Sequence, residues 1–136
     1  MVKLRHSKPY VRKKAVEHLL SKMRSAYVIV EGRHDVAALH ALGIDAHTYE
    51  STMRSFTMTC TSVLIFTDND RRGREKAEKL SSFFAENGVA AYTATGTRLL
   101  KILNSVHVEE ILMPVAEATE ENMAKKERNT KHMLKS

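Results

Sequence analysis

Two uncharged runs stand out from an otherwise mixed pattern, Tyr27-Val28-Ile29-Val30 and Val63-Leu64-Ile65-Phe66-Thr67. Both are rich in β-branched and aromatic residues, too short for a helix and too apolar for a sheet edge. They predict strands covered on both faces. A polar turn follows each, Glu31-Gly32 after the first and Asp68-Asn69-Asp70-Arg71-Arg72-Gly73 after the second. Helical spacing then resumes. From His34 to Leu42 the apolar positions are Val36 and Leu39, with Ala37, Ala38 and Ala41 small enough to pack closely on a sheet. Gly43 stands where a left-handed cap closes the helix. From Arg72 to Asn87 the residues Ala77, Leu80, Phe83 and Phe84 share one side, and Gly88 ends the run. Upstream, Pro9 to Arg24 reads as a helix with Ser7 or Lys8 near its cap. Val11, Ala15, Leu19 and Met23 recur every fourth position there, and Val16 and Leu20 widen the stripe.

The remaining pattern is weaker. Ile44 to Tyr49 suggests a strand, and the Ser/Thr/Met-rich stretch 51–61 a short helix and a connection. Val89 to Thr93 supplies another strand and Thr97 to Leu103 a short helix. Val106 to Met113 fits either helix or strand, broken by Pro114. Beyond it apolar residues are sparse, and the pairs Glu121 with Lys125 and Glu127 with Lys131 support a solvated helix or a frayed tail, a segment suited to a protein partner. Strands alternating with helices specify an α/β fold: three layers with a central, mainly parallel sheet of about four strands flanked by helices. The expected division is a basic arm and helix over 1–25, the α/β domain over 26–113 and a charged tail over 114–136.

Composition narrows the context. A chain of 136 residues fits one compact domain. The lone Cys60 excludes an internal disulfide and a zinc site built from several thiolates, which fits a reducing, cytoplasmic setting. No apolar run approaches the roughly 20 residues of a membrane span, and no apolar secretory stretch opens the chain, so no membrane association is expected. The net charge of +6 is unevenly spread. Lys3, Arg5, Lys8, Arg12, Lys13, Lys14, Lys22 and Arg24 face Glu17 alone in the first 24 residues, and the remainder is close to neutral. A basic element of this kind suits a polyanion such as RNA or DNA; a solubilising helix face is the simpler alternative.

The chemistry follows from the acidic turns. In an open parallel sheet the strand C-termini share one edge, so carboxylates ending neighbouring strands meet in space although distant in sequence. Asp68 and Asp70, two residues apart in a turn, can face one ion. Hard oxygen donors without Cys or His match Mg²⁺ or Mn²⁺ better than zinc. Asp35 either joins them as a third carboxylate or stabilises the dipole of the helix it begins. Crowding by negative charge and partial burial would raise the Glu31 carboxyl toward neutrality, suiting it to proton transfer. Gly32 and Gly73 are expected to let the backbone turn tightly. Arg33, His34, Arg71, Arg72 and Arg74 flank the acidic turns as phosphate contacts, and Lys8, Arg12, Lys13 and Lys14 add nucleic-acid contacts from the first helix. The other histidines look incidental, with His18 and His40 inside helices and His107 in the ambiguous segment. No metal-binding His or Cys spacing appears.

Glu31-Gly32 with Asp35, and Asp68-Asn69-Asp70-Arg71-Arg72-Gly73, resemble the two motifs of the Toprim domain. The likeness spans about residues 26 to 113. The runs Arg98-Leu99-Leu100 and Val108-Glu109-Glu110-Ile111-Leu112 look like the small stand-alone Toprim proteins of archaea. Toprim domains occur in topoisomerases, bacterial primases, nucleases, recombination mediators and a ribosomal-RNA maturase, all of which act on nucleic acids. The resemblance implies a Toprim-like, Rossmannoid fold, Glu31 as general acid/base, Asp68 and Asp70 as Mg²⁺ ligands, and Asp35 as an additional ligand. It also implies Mg²⁺-dependent phosphodiester cleavage or transfer on RNA or DNA. With 136 residues there is no room for the strand-gating body of a topoisomerase or the further domains of a primase. Two other classes stay open: a non-catalytic nucleic-acid-binding or assembly module using the same metal site, and a phosphoryl-accepting domain of the response-regulator type.

Overall fold

The computed structural model describes residues 9–54 and 61–120. Helix α1 (Pro9–Arg24) leads into strand β1 (Val28–Val30), followed by α2 (Arg33–Ala41), β2 (Ala46–Thr48), α3 (Tyr49–Arg54), β3 (Ser62–Ile65), α4 (Arg71–Glu86), β4 (Ala90–Tyr92) and α5 (Ala94–Leu103). A 3₁₀ turn at Val108–Glu110 and a helix, α6, over 112–120 complete the described chain. The four strands form one parallel sheet in the order β2-β1-β3-β4. The two apolar runs therefore became the adjacent central strands.

Alternation along these strands divides the core. Val28, Val30, Leu64 and Phe66 point to one face, where they pack with Val16, Leu19, Leu20 and Met23 of α1, Leu39 of α2 and Leu99, Leu100 and Leu103 of α5. Ile29, Val63 and Ile65 point to the other, against Leu80 and Phe84 of α4 and Val89. Helices on both faces make three layers, and each fully buried aliphatic or aromatic side chain contributes about 1.5–3 kcal/mol. This is the expected α/β architecture. Gly43 and Gly88 adopt φ of 77° and 75° after α2 and α4, the left-handed closures that their positions predict.

Three expectations are corrected. Val11 is 54% exposed rather than packed, because the buried face of α1 begins at Val16. Val106 to Met113 is not one helix or strand: a loop and the 3₁₀ turn occupy 106–111, and Leu112 and Met113 open α6. Pro114 does not break an element: it lies in the first turn of α6, where a missing backbone N–H costs nothing. Val115 and Ala118 of that helix are buried in the larger core, so the packed body passes the expected boundary at 113, and α1 likewise shares that core. The remainder of the expected tail, 121–136, lies outside the described residues, as do Lys8 and much of the stretch 51–61. Among the described residues no helix is long and apolar enough to cross a membrane.

Candidate metal and phosphate site

The order β2-β1-β3-β4 puts a reversal of strand order between β1 and β3, the place where open α/β sheets hold ligands beyond their strand C-termini. Val28 pairs with Leu64 and Ile29 with Ile65, so both strands run to the same edge. Glu31 follows β1 and Asp68 follows β3 at that edge. Both are half-buried.

Asp35 is the third residue of α2, and its Oδ2 accepts a hydrogen bond from the Gly32 N–H at 3.1 Å. It serves the helix start and is outside the group of donor atoms that Asp68 forms with Asp70 and His107. Burial pushes its carboxyl above the ordinary 3.8; the Gly32 N–H opposes this, and the negative charges of Asp68, Glu31 and Glu109 add to the rise. Asp35 thus senses the acid ending β1, the acid ending β3 and Glu109 of the 3₁₀ turn. An acid with a raised folded-state value holds its proton more tightly folded than unfolded. Its favourable contribution is complete below 3.8 and is lost as pH rises through the raised value, so charged Asp35 weakens the metal-free fold at neutral pH. Asp35→Asn is therefore expected to raise the thermal midpoint of the EDTA-treated protein at pH 7. Calorimetry at pH 7 and pH 4 checks this: the gain shrinks at pH 4, and a lowered midpoint at pH 7 contradicts it.

The second acidic turn is tightly organised. Asp70 caps α4, its Oδ1 accepting from the Gly73 N–H at 2.7 Å. Asp68 Oδ1 accepts from the Val108 N–H at 2.8 Å, and its Oδ2 lies 3.1 Å from His107 Nδ1. A second strap, Asn69 N–H to the Val106 carbonyl at 2.8 Å, holds the 106–108 loop against the turn. The hydrogen bond to Asp68 raises His107 above its ordinary 6.5; partial desolvation opposes this, and the charges of Asp68, Glu110 and Asp70 reinforce it. One donor atom from each of Asp68, Asp70 and His107 falls within 4.8 Å of the others. His107 is the site residue that sequence reasoning passed over.

The two glycines differ from expectation. Gly73 is helical and is required by close approach: a Cβ there would stand 2.0 Å from the Asp68 carbonyl oxygen. The Gly73 carbonyl also accepts from Thr67 Oγ1 at 2.8 Å. Gly32 has an extended φ of −144°, and a Cβ added there would meet nothing within 4 Å, so neither torsion nor space demands glycine.

The cations are less concentrated than the acids. Arg33, His34, Arg71 and Arg72 are exposed, and Arg71 Nε pairs with Glu75 Oε1 at 3.1 Å. Arg74 lines a cleft of about 550 Å³ together with Thr67, Asp68, Ser81, Thr93 and Thr97. On α1, Arg12 and Lys13 are half-buried and Lys14 exposed, with Lys13 3.7 Å from Glu17. Arg24 Nε donates to the Leu42 carbonyl at 3.0 Å, so the C-terminal ends of α1 and α2 meet. Arg12 and Lys13 lie about 18 Å along α1 from Arg24, at 1.5 Å per residue.

The chain is thus an α/β protein with a parallel sheet and an acid-rich rim at its strand reversal. No protein-family model matches it. It is similar to a UPF0292 protein of Methanosarcina barkeri, with 37% identity over 90 residues, covering 57% of this chain and 63% of the relative. A UPF0292 protein of Methanosarcina acetivorans is 34% identical over 91 residues, 57% of this chain and 62% of the relative. One from Thermococcus sibiricus is 29% identical over 97 residues, 65% and 77% of the two chains. The matched region spans less than two thirds of both Methanosarcina relatives. A solved structure of an Aquifex aeolicus protein superimposes with a TM-score of 0.61 at 23% identity, over 72% of this chain and 95% of that one, a likeness of fold.

Proposed function

We propose that this chain is a small Toprim-type protein that cleaves or transfers phosphodiester bonds of RNA or DNA with a bound divalent cation, Mg²⁺ or Mn²⁺. One observation carries the reading: Glu31 and Asp68 follow two adjacent parallel strands that run to the same edge, and there the Asp68 and Asp70 carboxylates lie within 4.8 Å of each other. Carboxylates gathered in this way repel one another, and a cation relieves the repulsion. The donor set fits a hard cation, with Asp35, Asp68 and Asp70 as its holders.

Such a cation offsets charge on the phosphoryl oxygens. Glu31 forms no hydrogen bond or ion pair among the described residues and is half-buried at the rim, which leaves its carboxylate available to move a proton at the attacking or leaving oxygen. Arg74, in the same cleft as Asp68, holds a phosphate oxygen. The N-terminal half of α1 grips the backbone farther along the strand. Replacing Arg12 and Lys13 together by Ala is expected to lower nucleic-acid affinity about ten-fold and to reduce the slope of log K against log salt by about 1–2. Fluorescence anisotropy across a salt series measures both, and an unchanged slope removes α1 from the interface.

The direct test is incubation of labelled structured RNA, single-stranded DNA and duplex DNA with the full chain, in Mg²⁺, Mn²⁺ or EDTA. Metal-dependent nicking or trimming is expected; inertness across the panel contradicts the reading. A specific observation also favours a second reading, the non-catalytic binding or assembly module. Both Asp68 oxygens and one Asp70 oxygen already accept or contact hydrogen-bond donors, roles that an ordinary structural turn gives them. Binding that survives EDTA without cleavage selects that reading.

A further inference from the structure

We infer that His107 is a nitrogen ligand of the proposed cation and that it biases the site toward a first-row transition ion such as Mn²⁺ over Mg²⁺. The inference rests on the metal-site reading above and adds to it a residue and a metal class.

Spacing is the first argument. Two donor atoms about 2.1–2.2 Å from one octahedral ion and on adjacent corners lie about 3.0 Å apart, and opposite corners lie about 4.3 Å apart. Asp68 Oδ2 and His107 Nδ1 are separated by 3.1 Å, the spacing of adjacent corners. The Asp70 donor falls within 4.8 Å of both. Its Oδ1 stays on the Gly73 N–H, and the other oxygen makes no hydrogen bond among the described residues. Because an ionised carboxylate only accepts, the metal-free contact is Nδ1–H donating to Oδ2. Binding a cation would release that proton to solvent and set the ion beside the Nδ1–Oδ2 line, with the ring turned so that the Nδ1 lone pair faces it.

Placement is the second. His107 comes from a segment 39 residues beyond Asp68 and is brought to it by a loop that is independently strapped down, through Val108 N–H to Asp68 Oδ1 and Asn69 N–H to the Val106 carbonyl. Its side chain is 46% exposed, so the imidazole faces the rim that solvent and ions reach rather than the core. His34 also lies near the acidic rim, but it is exposed at the start of α2 and has no such contact with an acid among the described residues.

Chemistry supplies the metal class. Mg²⁺ prefers oxygen donors; Mn²⁺ shares that preference but takes an imidazole more readily, and the advantage of imidazole grows along the first-row series beyond it. A mixed two-carboxylate, one-imidazole set therefore discriminates where carboxylates alone do so weakly.

The test is pulsed EPR of Mn²⁺ bound to the full-length protein, with Mn²⁺ and Mg²⁺ affinities measured by calorimetry. The expected spectrum contains a ¹⁴N coupling that changes to a ¹⁵N coupling when only the histidines are ¹⁵N-labelled, a measurement on the wild-type chain that needs no folded variant. The coupling is expected to vanish in His107→Gln and to persist in His34→Gln. Mn²⁺ affinity is expected to fall about ten-fold or more in His107→Gln, with less than about a two-fold change for Mg²⁺. Mn²⁺ that binds with no histidine coupling and with equal affinity in His107→Gln overturns the inference while leaving the carboxylate site intact. Absence of Mn²⁺ binding at millimolar concentration overturns both.

Discussion

Glu31→Gln and Asp68→Asn are each expected to reduce metal-dependent cleavage by about 10³-fold, within the range that removal of a positioned proton-transfer group produces. The two variants should differ in how they fail. Glu31 is assigned to proton movement, so its amide keeps cation affinity within a few-fold of wild type and loses rate. Asp68 is assigned to cation binding and is also the partner of His107 and of the Val108 N–H. Its amide loses both rate and affinity. Single-turnover rates at saturating metal, set beside calorimetric titration of each variant, separate these patterns. Wild-type rates in either variant contradict the assignment, and equal loss of affinity in both would move Glu31 from proton transfer to metal binding.

Gly73→Ala is expected to cost about 3 kcal/mol or more and to lower the thermal midpoint by roughly 10 °C. The added Cβ would sit 2.0 Å from the Asp68 carbonyl oxygen and 2.8 Å from its carbonyl carbon, both backbone atoms that no rotamer change can move aside. Relief requires the first turn of α4 to lift from the end of β3. That movement also breaks the Thr67 Oγ1 to Gly73 carbonyl bond. Gly32→Ala is the matched control: its backbone is extended and the added carbon meets nothing within 4 Å, so its midpoint should stay within about 1–2 °C of wild type. Circular-dichroism melts of the two variants make the comparison, and equal midpoints would refute the close-approach account.

These two glycines also mark how far the sequence could be read. Both follow an acidic turn and look alike in the chain. Only the packing of α4 onto the Asp68 backbone distinguishes a glycine imposed by contact from one imposed by nothing visible. The central strands were legible because burial on both faces removes every polar residue from a short run, leaving a pattern with few alternatives. α4 was legible for the complementary reason, a solvated side against a line of Ala77, Leu80, Phe83 and Phe84, which pack on the second core face. The placement of the acidic turns was legible because they follow buried strands, and the adjacency of β1 and β3 matches the shared edge that the reading required.

His107 was not legible in the same way. It lies in a segment without clear periodicity, and nothing near it in sequence announces a ligand. Its placement depends on the Val108 N–H donating to the Asp68 carboxylate and the Asn69 N–H donating to the Val106 carbonyl, which a one-dimensional pattern does not encode. The only hint was an unassigned histidine next to Val108-Glu109-Glu110, in the segment read as ambiguous. Pro114 misled for a related reason. Proline opposes the interior of a helix and is tolerated in its first turn, and only the position of the helix start decides between the two.

The proposed function depends on acids from the ends of β1 and β3 sharing one cation. Crystals grown with Mn²⁺ and measured at the manganese absorption edge test that dependence most directly. The expected result is an anomalous peak at the sheet edge, in contact with Asp68 and Asp70 and within reach of Asp35. An edge with no peak at millimolar Mn²⁺, or a peak only on carboxylates elsewhere on the surface, would contradict it.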